Sequence, residues 1–161
     1  LSGLVHEFGE LHPALVHFPI ALVVAAAVSE LLYVVRRREW FGEAARFTTA
    51  AGAWMAVPSV AAGFSEAWGR TFAGEAGWVF SVHWVCGVAS AGLAFLAYGL
   101  GEASRRSGQV WEQALYRAFL LLAAVAVLLT GYFGGRLDAA TGERVSNMVD
   151  FGLTMIGRFW Y

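Results

Sequence analysis

Three observations predict an all-α fold: an integral membrane four-helix bundle with a C-terminal amphipathic helix or tail. Hydrophobic residues make up 58% of the 161 residues and charged residues only 14%, against about 25% charged in ordinary soluble domains. Four apolar stretches reach spanning length. The charges lie outside those stretches, Glu30 excepted. A chain this poor in charge lacks the polar surface to cover a soluble globule, so a soluble enzyme and a disordered tail both fit badly. A net charge of −1 gives no long-range attraction to phosphate, which removes nucleic acid from the expected partners.

The stretches run over residues 14–35, 47–65, 78–100 and 118–135. Crossing a bilayer takes about 20 apolar residues in a helix. None of the four alternates with period two, as a barrel strand would, so each reads as a helix. Within the first, Pro19 has no N–H and leaves the Leu15 carbonyl free, which bends the helix mouth. Glu30, near the other end, is expected to pair with Arg36, Arg37 or Arg38 just beyond it. Pro58 is expected to kink the second helix. Gly52 with Ala56, Gly87 with Ala91 and Gly131 with Gly135 place small residues four apart, where helices approach closely in lipid.

Arginine placement sets the orientation. Arg36, Arg37, Arg38 and Arg46 flank the first connection, and Arg105, Arg106 and Arg117 the third. The second connection has only Arg70. Positive-inside reasoning puts the first and third connections in the cytoplasm and both termini on the periplasmic side of the cell membrane. Tyr33, Trp40, Phe41, Tyr98, Trp111 and Tyr116 form one aromatic belt. Trp68, Phe72, Trp78, Trp84 and Tyr132 form the other. The domain division is 1–137 for the spanning bundle and 138–161 for an extracytoplasmic tail. The tail starts polar and turn-like, then sets Val145, Met148, Val149, Ile156, Phe159 and Trp160 largely on one helical face.

All four histidines, His6, His12, His17 and His83, fall toward the arginine-poor face. His17 and His83 lie at matched depth on two helices that run the same way. That suits two axial imidazoles on a b-type haem. Gly87, one turn after His83, would let a flat macrocycle approach the backbone, and Arg70 or Arg136 would meet its propionates. Set against this are a structural role, each imidazole bonding a backbone group, and a metal or quinone role. A three-histidine site with His12 requires His12 to sit in a non-helical lead-in before Pro13, because five residues of helix turn through about 140°. Cys86, the lone cysteine, reads as an inert small hydrophobe. No phosphate loop, dinucleotide fingerprint, Cys-x-x-Cys-His or His-Glu-x-x-His motif is present, so no independent active site is expected.

The run His12-Pro13-Ala14-Leu15-Val16-His17-Phe18-Pro19-Ile20-Ala21-Leu22 resembles the opening signature of the prokaryotic family called domain of unknown function 2231. Further resemblances are Gly63 with Glu66 after it, His83 heading the third span, and Gly134-Gly135 followed by Leu137. Asp138 departs from the usual apolar continuation. The resemblance implies a four-helix membrane domain, often found beside cytochromes, and marks His12, His17 and His83. The resulting expectation is a membrane subunit of a respiratory or photosynthetic redox complex. It would carry haem b on His17 and His83, with His12 supporting or substituting, and contact lipid, other subunits and a periplasmic cytochrome. The alternative is a cofactor-free accessory subunit, with tight packing between the first and third helices and His17 bonded to a carbonyl.

Overall fold

The computed structural model describes residues 2–141, with side chains from residue 6 to residue 139. The expected amphipathic tail lies almost entirely outside the described residues. The elements are α1 (Ser2–Glu10), α2 (His12–Leu15), α3 (His17–Arg36), α4 (Glu39–Ala67), α5 (Gly74–Ser107) and α6 (Val110–Thr141). No strand occurs among the described residues. Short connections make α3 to α6 alternate in direction. They form a ring in which α3 packs on α4, α4 on α5, α5 on α6 and α6 on α3.

Packing inside the ring is that of a bundle in lipid. Ala26, Ala53, Ala94, Ala97 and Ala123 are fully buried, with Val23, Leu120 and Val127 among them. Large apolar side chains point outward instead: Leu31, Phe47, Trp54, Leu96, Leu121, Leu122 and Leu128. Lipid tails are as apolar as leucine, so helices in a bilayer associate through small residues and close backbone approach. Gly52 is one such approach; a Cβ there would come within 2.9 Å of the Val23 side chain. Gly87 faces Thr130 of α6, and Gly131 faces Ile20 of α3. The segments His6–Arg36, Gly74–Ser107 and Val110–Ala139 are long and apolar enough to cross a membrane. The fourth long helix, α4, is diluted by Thr48, Thr49, Pro58 and Ser59 and is not among them.

The two halves of the chain repeat. Laying residues 12–68 on residues 83–139 matches His12 with His83, Leu22 with Leu93, Ala26 with Ala97, and Trp40 with Trp111. It also matches Arg46 with Arg117, Ala53 with Ala124, and Gly63 with Gly134. Helix ends obey the same shift. α3 stops at Arg36 and α5 at Ser107, while α4 starts at Glu39 and α6 at Val110. Arg37 (φ 53°) and Gly108 (φ 70°) cap the matched C-termini in the left-handed conformation. Hairpins α3–α4 and α5–α6 are thus related by an approximate two-fold rotation about the bundle axis.

The copies differ at their heads. α5 is one helix from Gly74, whereas the first copy breaks at Leu11 and Val16 into α1, α2 and α3. Pro13 and Pro19 stand where α5 has Trp84 and Ser90. Pro19 cannot donate to the Leu15 carbonyl, and Ser59 Oγ of α4 donates to it instead at 3.1 Å. α1 then lies on the C-terminal end of α4, where Gly9 would put a Cβ 2.8 Å from the Glu66 backbone nitrogen.

Three sequence expectations are corrected. Glu30 pairs with Arg117 of α6 at 2.7 Å, because it faces the bundle interior while Arg36, Arg37 and Arg38 lie exposed at and beyond the helix end. Tyr116 is not in the aromatic belt; it is 2% exposed and packs against Gly101. Finally, α6 continues as helix through Asp138 to Thr141, where a polar turn was expected.

Candidate functional site

At the arginine-poor end of the ring lies a cavity of about 420 Å³. This is within the range of about 300–1,000 Å³ typical of small-molecule sites. All four long helices and α2 line it, and His12, His17 and His83 all border it.

The break before α3 turns His12 toward α4. Its Nδ1 donates to the Ser59 carbonyl at 2.9 Å. Its ring lies on Gly63, one turn further along α4, where a Cβ would sit 2.8 Å from the ring. His83 repeats this on the other side. Its Nδ1 donates to the Thr130 carbonyl of α6 at 2.9 Å, and its ring lies on Gly134, again one turn on. Each histidine is 47 residues from its acceptor, as the repeat requires. The two rings meet with centroids 6.2 Å apart and planes at 85°.

The hydrogen bonds fix the chemistry of both rings. A carbonyl only accepts, so Nδ1 carries the proton, and in the neutral ring Nε2 keeps its lone pair. Nε2 lies across the ring from Nδ1 and therefore turns away from the bonded carbonyl. An imidazole whose other nitrogen donates to a backbone carbonyl is the usual arrangement of a metal-ligating histidine. Two imidazoles on opposite sides of one metal ion, at about 2.0–2.1 Å each, hold their ring centres about 6 Å apart. The ring-centre separation of 6.2 Å matches that spacing, and the two Nε2 lone pairs would be the donors.

The sequence reading paired His17 with His83; the structure sets His12 against His83. His17 heads α3 on the exposed side, bordering the cavity, with no hydrogen bond or ring contact among the described residues. Measuring depth from Pro13 and Trp78 hid this, because α5 begins at Gly74 and the first copy is broken. The repeat carried the signal, as His12 and His83 are its matched residues. No group of three or more His, Cys, Asp or Glu side chains able to hold a metal ion occurs among the described residues, so the three-histidine site is not assembled.

Gly87 borders the cavity as expected, at the α5–α6 contact. Arg70 lies at its mouth, 3.7 Å from Glu66 and over the Phe72 ring. Arg136 is engaged by Glu75 at 2.6 Å. Ser59, which sequence reasoning missed, joins the site's parts. Its carbonyl takes His12, and its hydroxyl bonds the Leu15 and Met55 carbonyls.

No curated protein and no solved structure matches the chain. One family model does, from residue 10 to residue 147, a stretch that takes in all four long helices, both histidines of the pair and both of their glycines. The chain belongs to that family, the predicted membrane proteins of domain of unknown function 2231.

Proposed function

We propose that this chain is a b-type cytochrome subunit of a prokaryotic cell-membrane redox complex, in which His12 and His83 would hold the haem iron. The observation that carries the reading is the pair itself. Two imidazoles, 6.2 Å apart, have their Nδ1 protons committed to carbonyls and border one cavity. Bound there, a haem would supply one-electron transfer at a potential set by its ligands and burial. The chain's own residues do the rest. Ser59 and Thr130 hold the ring orientations, Gly63 and Gly134 give the rings room, and the large apolar exterior keeps the bundle in lipid. In this reading α4 crosses the membrane with the other three helices, the arginine-rich end faces the cytoplasm, and the pair sits near the periplasmic face. A periplasmic cytochrome and neighbouring subunits are then the electron partners.

The cofactor-free scaffold is the second reading. It is favoured by the same two hydrogen bonds, which brace α2 to α4 and α5 to α6. It expects tight packing where the cavity lies and a carbonyl partner for His17, and neither occurs among the described residues. The test is a dithionite-reduced minus air-oxidised spectrum of the purified protein, with a pyridine haemochrome assay. The cytochrome reading expects a b-type α-band at about one haem per chain. Haem-free protein, purified together with its native partners, would overturn it and leave the scaffold.

A further inference from the structure

The arginine-rich end of the bundle breaks the two-fold repeat in a way that leaves a cation over. Arg46 on α4 and Arg117 on α6 occupy matched positions. Their acidic neighbour is not duplicated: Glu30 of α3 has Gly101 as its counterpart on α5. The single carboxylate goes to the second copy. Glu30, 6% exposed, accepts from Arg117 Nε at 2.7 Å and from Gln113 Nε2 at 3.3 Å. Gln113 is itself held by Ser104. Arg46, half-buried, has no hydrogen bond or ion pair among the described residues. Position 101 carries no acid, and a Cβ there would come within 3.2 Å of the Tyr116 ring.

The space beside Arg46 is open. A cavity of about 300 Å³ is bordered by Arg46, Arg105, Arg117, Glu30, Gly101 and Tyr116. The Tyr116 hydroxyl is buried beside Thr49, Glu30 and Arg46. Among the described residues Arg105 meets Glu102, at 3.9 Å and largely exposed. A half-buried guanidinium without a partner among the described residues and a second cation at the rim make a site lacking an anion. The level of the site in the membrane says which anion. Trp40 and Trp111, matched by the repeat and both exposed, ring this end of the bundle as headgroup-level aromatics do. Phosphate is the anion found at that level, and the planar guanidinium fork matches its oxygens.

We propose that this cavity binds one anionic phosphate group, held by Arg46 with Arg105 at the rim. The phosphate belongs to an anionic lipid headgroup or to free phosphate. The inference is independent of the histidine site at the other end.

Detergent-purified full-length protein is mixed with phosphatidylglycerol or phosphatidylcholine, and retained lipid is counted by native mass spectrometry. Inorganic phosphate alone is tested in parallel by thermal shift. The expected result is retention of phosphatidylglycerol over phosphatidylcholine, lowered about tenfold in Arg46→Gln, as for loss of one charge-assisted contact. Arg36→Gln, which removes an equal charge from the exposed end of α3, should match wild type. A lipid-only effect identifies the headgroup, and an Arg46-dependent shift with inorganic phosphate identifies the free ion. If Arg46→Gln fails to fold, Arg46→Lys keeps the charge, loses the fork and should show intermediate retention. Equal retention in wild type and the folded Arg46 variant, with no phosphate shift, overturns the proposal. So does an equal loss in Arg36→Gln.

Discussion

The site is set residue by residue by glycines as much as by histidines. Gly63 lies under the His12 ring at a distance that leaves no room for a methyl group, and Gly134 lies under the His83 ring where a methyl would be tight. Gly63→Ala should push the His12 ring off the Ser59 carbonyl, and Gly134→Ala should shift His83 less, since its contact is looser (3.1 Å against 2.8 Å). Both substitutions favour the helix by about 0.5–1 kcal/mol, so the protein should stay folded while its absorbance or ligand occupancy changes. A thermal melt paired with a spectrum separates the two effects. Ser59→Ala has a different signature. It leaves the Leu15 carbonyl unsatisfied beside Pro19 and should cost about 1–3 kcal/mol, measured as a lowered melting temperature in detergent. Pro19's freed carbonyl was legible in the sequence. Its acceptance of the Ser59 hydroxyl was not, because nothing local ties residue 15 to residue 59.

Among the elements, the four long helices were legible from apolar length, although only three segments among the described residues are apolar enough to cross a membrane. The lead-in was not. α1 carries Glu7, Glu10 and His6, and the break at Leu11 depends on α4 offering Gly63 and Ser59 to His12. Glu30 was read as pairing within reach along its own chain, but a helix places its side chains against neighbours, and the neighbour is α6. Arg117→Leu should therefore be strongly destabilising, by about 3 kcal/mol, because it strands a buried carboxylate. Glu30→Gln should be milder, since Arg117 is partly exposed and rehydrates. Chemical denaturation of the two variants in mixed micelles gives the ordering. At the α3–α4 contact, Gly52→Val should cost about 1–3 kcal/mol by overpacking against Val23.

At the scale of the whole molecule the organising fact is the duplicated hairpin. The repeat explains why two histidines, two glycines, two arginines and two tryptophans fall at matched heights. Few of its matches are identical residues, and the broken head of the first copy disguises it, so hydropathy by itself gives spans without their symmetry. The proposed reading predicts that α4 is a fourth crossing despite its threonines and Pro58. Single cysteines at Arg37 and Gly69, in a Cys86→Ala background, should then label from opposite sides of the membrane. Labelling from one side would mean that α4 does not cross. The proposed reading pairs His12 with His83, and its most direct test is the haem content of three variants purified side by side. His12→Ala and His83→Ala should each abolish the reduced-minus-oxidised b-type band, while His17→Ala keeps it. Loss of the band in His17→Ala with retention in His12→Ala would contradict the account.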